Sequence, residues 1–308
     1  MEKIRKLKVG KHTIEISKPD KILFPKDKIT KFDLAEYYKK IAPVMLPYMK
    51  DRPISMQRFP DGIDGERFYQ KEVPEYFPKW IGRARVKVGG PEKSQEQVMV
   101  NDAATLVYLA NQATITPHTW LSRRPKLNFP DKLVMDLDPS KGATLTDVRR
   151  GVRAVKELFD KLGLVSFLMT TGSRGYHVVV PLKPEENFDS VKEFAKHVAE
   201  YLCEHNKSFL TTAQRKAKRG DRVYMDIARN EYAQTSVPPF AVRARDGAPV
   251  ATPLAWNELS RVRPNQFTIQ TVFTRLFAKK DPWKDFHKKA QTLKKARAKL
   301  QKIIEHEA

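Results

Sequence analysis

The stretch Lys132-Leu-Val-Met-Asp-Leu-Asp138 is an apolar run that ends in two aspartates one residue apart. Successive side chains of a β-strand point to opposite faces, so Asp136 and Asp138 are predicted to lie on the same face. Two neighbouring carboxylates repel each other unless a positive charge lies between them. Mg²⁺ and Mn²⁺ prefer carboxylate oxygens. The stretch therefore predicts a strand that carries an acidic metal site.

The sequence around this strand predicts a β-α-β-β-α-β order, which is typical of ferredoxin-like and RNA-recognition folds. The predicted elements are a strand at 132–138, a helix at 146–162, strands at 164–170 and 176–182, a helix at 188–205 and a strand at 222–228. We therefore expect an α/β (α+β) fold, with an RNA-recognition-like sheet module packed on an N-terminal α/β module.

This topology brings four separated residues together. Its usual spatial order is fourth strand, first, third, second, with neighbouring strands antiparallel. His177, which opens the third strand, is then expected near Asp138. Asp226 on the fourth strand is expected beside the aspartate pair, at a register that the sequence does not define. If the helices cover one face, the other can assemble three carboxylates for two metal ions. The alternative is a set of scattered surface acids and one histidine.

Composition favours a nucleic-acid partner. Lys and Arg outnumber Asp and Glu by 58 to 36 among the 308 residues, for a formal net charge of +22. A polyphosphate is the commonest partner for such a field, although a solubility surface is the alternative. Cys203 is the one cysteine, which excludes an internal disulfide and a cysteine-based zinc site. No signal peptide or apolar run of membrane-spanning length is present, so we expect a cytoplasmic, nucleoid-associated protein without a membrane partner.

The remaining sequence predicts flanking elements. In the first 125 residues, Thr30 and Asp102 are predicted helix N-caps, and strands are predicted at 11–17, 53–58 and 67–70. A hairpin is predicted from 85–88 and 97–100, with an exposed loop between them. Beyond 228, short helices are predicted near 257–262 and 271–277, and a basic amphipathic helix over 288–305. We expect a single domain, with modules of about 1–125 and 126–308.

The segment Thr171-Gly-Ser-Arg-Gly-Tyr-His177 joins two predicted strands. Its glycines permit a tight turn whose N–H groups can form an anion nest, and its side chains add donors suited to a triphosphate. An ordinary hairpin turn is the alternative. The segment is not a P-loop, since the Gly-Lys-Ser/Thr ending is missing. Arginines that fit phosphate oxygens elsewhere in the chain are Arg219, Arg229, Arg243 and Arg245.

Several of these motifs, in this order, resemble the polymerase domain of the bacterial and archaeal ligase D family of nonhomologous end joining, within the archaeo-eukaryotic primase superfamily. The resemblance covers nearly the whole chain. The motifs that carry it lie at 18–25, 41–47, 52–54, 133–139, 171–178, 223–226 with Arg229-Asn230, 242–254 and 281–283. It implies a primase-polymerase catalytic core.

The resemblance also implies roles for individual residues. The catalytic carboxylates and metal ligands would be Asp136, Asp138 and Asp226. The residues that bind the incoming nucleotide would be His118, Thr171, Ser173, Arg174, His177, Arg229 and Arg243. A pocket for a DNA 5′-phosphate would consist of Lys18, Lys21 and Lys31. Base-stacking or DNA-contacting residues would be Phe68, Tyr69 and Arg219. The loop between Val88 and Gln97 corresponds to one that touches paired DNA ends.

Without the resemblance, simpler interpretations stay open. His118 is then a satisfied core residue, Phe68 and Tyr69 are two strand aromatics, and the lysines are solvated. The sequence also departs from the family pattern, with Lys18 in place of a common asparagine and Thr171 in place of a common serine. The 308 residues contain no ligase adenylation motif and no phosphoesterase segment. We expect either a standalone polymerase or an excised domain.

The implied function is a template-directed DNA/RNA polymerase of nonhomologous end joining, a nucleotidyltransferase that fills gaps and extends 3′ ends. The resemblance implies a preference for ribonucleotides, a two-metal site for Mn²⁺ or Mg²⁺, and recognition of a downstream 5′-phosphate. The implied partners are DNA with breaks, gaps or overhangs, nucleoside triphosphates, a Ku-type end-binding protein and a separate or fused DNA ligase. A replicative or plasmid primase, a non-catalytic DNA-end-binding module and a metal-dependent nuclease are the alternatives.

Overall fold

The computed structural model describes residues 3–88, 93–278 and 281–307. Its strands are β1 (Ile4–Val9), β2 (His12–Ser17), β3 (Ile22–Phe24), β4 (Ile29–Thr30), β5 (Ile54–Arg58), β6 (Phe68–Gln70), β7 (Arg83–Lys87), β8 (Ser94–Val98), β9 (Thr114–Trp120), β10 (Lys132–Pro139), β11 (Phe167–Thr170), β12 (Tyr176–Pro181), β13 (Leu210–Thr211), β14 (Val223–Asp226), β15 (Thr235–Ser236) and β16 (Pro253–Leu254).

Its helices are α1 (Lys31–Met49), α2 (Ala103–Asn111), α3 (Leu145–Leu162), α4 (Phe188–His205), α5 (Val272–Ala278) and α6 (Lys294–Glu307). Single 3₁₀ turns lie at Arg124–Lys126, Lys216–Lys218, Ala228–Asn230, Trp256–Glu258 and His287–Lys289. Among the described residues, no helix combines the length and the apolar character needed to cross a membrane.

The chain forms two compact units. The first unit comprises residues 1–125, 235–252 and 265–278, and the second comprises residues 126–234, 253–264 and 279–308. In the first unit, β15, β9, β5 and β6 form an antiparallel sheet in that order, and α1 packs against α2. The predicted N-caps are confirmed, since the side chains of Thr30 and Asp102 accept the N–H groups of Asp33 and Thr105. The predicted hairpin is also present, as β7 and β8.

The second unit contains a six-stranded sheet with the order β13-β14-β10-β12-β11-β16. The predicted β-α-β-β-α-β order and the predicted neighbours of the first strand are therefore confirmed, as is the mixed α/β class. The sheet is wider than predicted because β13 adds parallel to β14 and β16 adds antiparallel to β11. Both additions are strands of two residues, too short for an alternation pattern to predict.

Both long helices of the second unit cover one face of this sheet. A Cβ on Gly151 of α3 would lie 2.9 Å from a methyl carbon of Leu137, so α3 packs directly on that side chain. Cys203 of α4 lies 3.8 Å from the sulfur of Met225, which is the register partner of Leu137. Because side chains alternate along a strand, the residues on either side of Leu137, namely Asp136 and Asp138, point to the opposite face.

Two predicted helices differ from the structure. The helix predicted near 257–262 is only the turn Trp256–Glu258, and Pro264 keeps the chain from continuing as a longer helix. The helix predicted from 288 begins at Lys294, because Gln291 forms a bridge with Leu182 and its side-chain amide bonds the backbone of Val165. The same contact occupies the backbone of Val165, so β11, which was predicted to begin at 164, begins at Phe167.

Candidate active site

Three strands of the second unit bring the predicted acidic residues together. Asp136 lies within β10, and its register partners are His177 on β12 and Asp226 on β14. Asp138 lies two residues further along β10 and points to the same face. The register thus places one histidine and three carboxylates on the face opposite α3 and α4.

The register makes the expected position of His177 more specific, because His177 pairs directly with Asp136, and Asp138 lies two residues further along the same face. Tyr176 is the first residue of β12 and its register partner is Leu137, so the next residue along falls opposite Asp136. The Nε2 atom of His177 lies 3.4 Å from Oδ1 of Asp136, and both side chains are nearly buried. The register also answers what the sequence left undefined, since Asp226 lies beside Asp136.

Arg229 links two of the carboxylates. It lies on the 3₁₀ turn Ala228–Asn230, directly after β14. Its Nε atom lies 3.3 Å from Oδ2 of Asp136, and its Nη2 atom lies 3.4 Å from Oδ2 of Asp226. The guanidinium group therefore offsets the repulsion between two carboxylates that the sheet register places side by side.

The three carboxylates differ in electrostatic environment. Burial raises the pKa of Asp136, but the charges and hydrogen bonds of His177 and Arg229 outweigh burial and hold its pKa at about 2. Burial raises the pKa of Asp138, and the neighbouring Asp136 raises it further. Burial also raises the pKa of Asp226, against a lowering effect of Arg229. Asp138 and Asp226 are thus the carboxylates whose charge is less fully offset.

Asn230 positions this cluster, a role that the sequence pattern did not predict. Its side-chain oxygen accepts the N–H of Val134 at 2.9 Å, and its amide donates to the carbonyl of Val134 at 2.8 Å. β14 ends at Asp226, so no strand residue pairs with Val134 there. The fully buried amide of Asn230 makes these hydrogen bonds to β10 instead. The signal that could have revealed it is an asparagine directly after the arginine that follows Asp226.

Two arginines lie near Asp138. The Nη2 atom of Arg174 is 3.4 Å from Oδ1 of Asp138. The guanidinium carbon of Arg219 lies 3.7 Å from the ring centre of Tyr224, which is the register partner of Asp138. Both arginines lower the pKa of Asp138, against the effect of burial. The predicted DNA-contacting residue Arg219 therefore belongs to the surroundings of the acidic cluster.

The loop before β12 is held together by Thr171. Its hydroxyl donates to the carbonyl of Gly175 at 3.0 Å and accepts the N–H groups of Ser173 and Gly175, at 3.3 Å each. Gly172 has a φ of 65°, which favours glycine. Two N–H groups of the predicted anion nest are therefore bonded within the loop. The half-buried Ser173 and the exposed Arg174 supply side-chain donors at its tip.

The three carboxylates of the cluster are ligands of the type that divalent cations prefer. Within residues 3–88, 93–278 and 281–307, no set of three or more His, Cys, Asp or Glu side chains is arranged to hold a metal ion. The two oxygens of Asp136 face His177 and Arg229 instead. Three hard oxygen donors nevertheless share one face, and a cation would relieve the raised pKa of Asp138 and Asp226. The metal triad stays a prediction.

The first unit holds the predicted residues His118, Tyr69, Phe68 and Arg243. His118 is buried on β9, and the ring of Tyr69 lies 5.7 Å from it, edge to face. Phe68 points to the other face of β6, because neighbouring residues of a strand alternate. The hydroxyl of Thr116 donates to the carbonyl of Val242 at 2.6 Å and so holds the segment of Arg243 beside β9.

The three predicted phosphate-binding lysines lie in different elements: Lys18 follows β2, Lys21 precedes β3 and Lys31 is the first residue of α1. The N–H of Lys31 donates to the carbonyl of Lys21 at 2.8 Å, which places these two residues side by side. Lys31 is buried, and its Nζ donates to Ser17 Oγ at 3.1 Å. Nζ of Lys21 lies 2.6 Å from Oδ1 of Asp61, and both Lys21 and Lys18 lower the pKa of Asp61. The simpler interpretation of solvated lysines is therefore wrong for Lys31.

The predicted DNA-contacting loop lies between β7 and β8. Its tip, residues 89–92, is outside the described residues.

A family model described as the LigD primase-polymerase domain matches residues 30–283. The chain belongs to this LigD primase-polymerase family. It is also similar to the polymerase domain of ligase D from Mycobacterium tuberculosis in complex with DNA, with a TM-score of 0.83, 29% identity and coverage of 90% of this chain and 99% of that one.

Two relatives in the LigD family have longer chains. The multifunctional non-homologous end joining protein LigD of Pseudomonas aeruginosa is 30% identical over 284 residues, which is 89% of this chain and 33% of that protein. The bifunctional non-homologous end joining protein LigD of Bacillus subtilis is 30% identical over 284 residues, or 90% of this chain and 45% of that protein. The chain thus spans less than half the length of these relatives.

Gly175 in this LigD-family site cannot be replaced by a larger residue without a clash. A Cβ on Gly175 would lie 2.0 Å from the carbonyl oxygen of Leu137, the residue between Asp136 and Asp138. Real Cβ atoms do not approach so closely, and a backbone carbonyl in a sheet cannot move aside as a flexible side chain can. Gly175 therefore allows the loop to lie directly against the strand that carries the carboxylates.

We expect Gly175→Ala to lower both stability and nucleotide addition, because the added methyl group forces β10 away from the loop. Overpacking typically costs about 1–3 kcal/mol. The midpoint of urea unfolding and the rate of primer extension measure the two effects. Gly82→Ala is the matched control, since its Cβ would meet its nearest neighbour at an ordinary 3.5 Å. Equal behaviour of the two variants would contradict the close approach.

Proposed function

We propose that this chain is a template-directed nucleotidyltransferase that extends 3′ ends at DNA breaks and gaps in nonhomologous end joining. The observation that carries the proposal is the meeting of Asp136, Asp138 and Asp226 on one sheet face, in a chain of the LigD primase-polymerase family. Phosphoryl transfer requires positioning and electrostatic stabilisation more than covalent chemistry from the protein. Carboxylates that can hold metal ions, with arginines beside them, supply both.

Asp136, Asp138 and Asp226 are the residues that would hold Mg²⁺ or Mn²⁺. Two such ions would supply the Lewis-acid chemistry that an attacking hydroxyl and a leaving pyrophosphate require. His177 and Arg229 keep Asp136 ionised, since they hold its pKa at about 2. An ionised carboxylate is the form that binds a metal. These two residues therefore keep Asp136 in the ionised form at neutral pH.

The residues around Asp138 suit a triphosphate. Arg174 is exposed and its planar guanidinium group matches phosphate oxygens in a bidentate manner. Ser173 adds a hydroxyl donor beside it. Thr171 orders the loop through its three backbone hydrogen bonds, so we assign it a positioning role rather than a direct phosphate contact. His118 and Arg243 stay proposed nucleotide contacts, on the strength of the family resemblance.

DNA is the proposed macromolecular partner. A formal net charge of +22 favours a polyphosphate, and the M. tuberculosis polymerase domain is described in complex with DNA. The relatives of P. aeruginosa and B. subtilis are named for non-homologous end joining. We extend the proposal to a Ku-type end-binding protein and a fused or separate DNA ligase, as a shared repair task requires.

Asp138→Ala is expected to slow nucleotide addition at least about a hundredfold, because it removes one of three carboxylates from the proposed metal site. A hundredfold corresponds to about 2.7 kcal/mol in the activation barrier. Primer extension with Mn²⁺ or Mg²⁺ measures the rate, and fluorescence anisotropy measures DNA affinity, which should stay close to that of wild type.

The matched control is Asp160→Ala, which removes an exposed aspartate of α3 that pairs with Lys156. This variant should extend primers at the wild-type rate. If the Asp138→Ala protein extends primers as fast as wild type, Asp138 has no catalytic role.

Ribonucleotides are expected to be added more efficiently than deoxynucleotides. A site that hydrogen-bonds a sugar hydroxyl rejects the sugar that lacks it, and one such bond is worth about 1.4 kcal/mol, or tenfold in kcat/KM. Single-nucleotide extension of one primer–template with each nucleotide set measures the ratio, in Mn²⁺ and in Mg²⁺ separately. A ratio that favours deoxynucleotides would overturn the proposed sugar preference.

Gapped DNA with a downstream 5′-phosphate is expected to bind more tightly than the same DNA with a 5′-hydroxyl. A lysine–phosphate contact that is partly desolvated is worth about 2 kcal/mol, which exceeds tenfold in affinity. Competition binding of the two DNAs measures the difference. The double variant Lys21→Ala, Lys31→Ala should abolish the difference without slowing extension on an open template.

Two single variants sharpen this test. Lys21→Ala leaves the buried Lys31 and its bond to Ser17 in place, so its effect does not depend on a change in the fold. Asp61→Asn removes the carboxylate that now pairs with Lys21, and should strengthen binding of the 5′-phosphate. Lys11→Ala, at an exposed lysine, is the control. Equal binding of both DNAs by wild type would favour the primase alternative.

A further inference from the structure

A groove of about 770 Å³ lies between α4 and α6 in the second unit, and all of its lining residues belong to these two helices. α4 packs through Cys203 against Met225, on the sheet face opposite Asp136 and Asp138. The groove is lined by exposed residues of α4, so it lies on the outer side of this helical layer. It is therefore separate from the acidic cluster of the proposed active site.

The two helices are held together at both ends of the groove. At the start of α6, Nη2 of Arg297 donates to the carbonyl of Ser190, near the start of α4, at 3.1 Å. At the other end, Nε2 of His205 lies 3.0 Å from Oε2 of Glu307, and the hydroxyl of Tyr201 donates to Oε1 of Glu307 at 3.3 Å. The helices therefore run side by side in the same direction, and the groove is formed before any ligand binds, which lowers the cost of binding.

The floor of the groove contains apolar and aromatic side chains. Leu300 and Ile304 of α6 are one helical turn apart and lie on the same face. Leu300 is buried, but Ile304 is 40% exposed. From α4, the ring of Tyr201 lines the groove and packs on the ring of His205, with 4.2 Å between the ring centres. A groove with such a floor between two helices suits the apolar face of a third helix.

The rim of the groove is acidic. Its lining residues include five glutamates and one arginine, in a chain whose formal net charge is +22. Glu193, Glu200 and Glu204 lie along α4, and Glu305 lies on α6. These carboxylates repel the phosphates of DNA and attract cationic side chains. The charge of the rim therefore favours a basic polypeptide as the occupant of the groove.

The glutamates of the rim are available to new cations. Glu200 lies 3.7 Å from Nζ of Lys196, one turn before it on α4, and Glu204 lies 3.1 Å from Nζ of Lys207. All four side chains are at least half exposed. Exposed ion pairs between residues so close in sequence contribute little to stability. The cations of a partner can therefore replace these pairs at small cost.

We propose that the groove between α4 and α6 docks a basic amphipathic helix of another protein. Apolar residues at helical spacing on one face of that helix would pack on Leu300 and Ile304, and flanking lysines or arginines would pair with Glu200 and Glu204. The docking site goes beyond the proposed function and does not rest on it. Because the groove and the carboxylate cluster lie on opposite sides of the sheet, a docked partner leaves the cluster open.

Fluorescence anisotropy of a labelled peptide tests the docking site on the full chain. The probe is a peptide of about 18 residues, or about five helical turns, with leucines at helical spacing and lysines elsewhere. A matched peptide with glutamates in place of the lysines should bind at least about tenfold more weakly, because the rim repels it. The total charge of the chain predicts the opposite order, since a +22 protein attracts the acidic peptide.

Substitutions in the groove locate the binding. Glu200→Lys with Glu204→Lys should weaken binding of the basic peptide at least about tenfold, and less at high salt, since salt screens exposed charges. Ile304→Ser should weaken it about fivefold at low and at high salt, because apolar contact is lost.

Glu157→Lys with Asp160→Lys is the matched control. It makes the same change in net charge on α3, where Asp160 pairs with Lys156 one turn away, as Glu200 pairs with Lys196. This control should bind the basic peptide within about twofold of wild type. The midpoint of urea unfolding shows whether each variant is folded.

Equal or tighter binding of the acidic peptide by wild type would overturn the docking site, as would wild-type affinity for the basic peptide in the Glu200→Lys, Glu204→Lys protein. Sedimentation of wild type tests a different occupant: a dimer that this double variant dissociates would assign the groove to a second copy of the chain. The variants should add nucleotides at the wild-type rate. Peptide binding is measured without DNA or nucleotide, so failure of the docking site and failure of the polymerase proposal give different results.

Discussion

The pairing of Asp136 with Asp226 across an antiparallel ladder is the constraint on which this site depends. Two carboxylates at register positions repel each other, and the fold answers with Arg229, which reaches both. The turn that carries Arg229 is in turn fixed by Asn230, whose amide bonds both backbone groups of Val134. The acidic cluster and its neutralising arginine are thus joined through both their ion pairs and the backbone that carries them.

β10, which carries Asp136 and Asp138, is packed closely at Leu137 by a helix on one side and a loop on the other. The side chain of Leu137 meets α3 at Gly151, and its carbonyl meets the loop at Gly175. Each glycine removes a Cβ that would collide, so the helix and the loop both approach β10 closely. Asp136 and Asp138 flank Leu137, so the backbone that carries their carboxylates is packed closely from both sides. Fixed positions are what electrostatic stabilisation of a transferring phosphoryl group requires.

In the first unit, the alternation of side chains along β6 separates two neighbouring aromatic residues. A two-residue aromatic motif, Phe68-Tyr69, becomes two surfaces, because one ring faces His118 and the other faces Arg58. Charge is also distributed locally, since Lys21 already has Asp61 as a partner and Lys31 is buried against Ser17. Within a chain of +22, these two lysines therefore already have polar partners in the structure.

Sequence alone determined the β-α-β-β-α-β order of the second unit, the caps at Thr30 and Asp102, and the shared face of Asp136 and Asp138, because these follow from local periodicity and capping chemistry. Only the tertiary structure decided that His177 pairs with Asp136 and that Arg229 links Asp136 to Asp226. It also decided that Gln291 lies outside the last helix. Register, close approach and long-range side-chain bonds join residues distant in sequence, so no local pattern records them. The same reason explains why the burial of Lys31 could not be predicted.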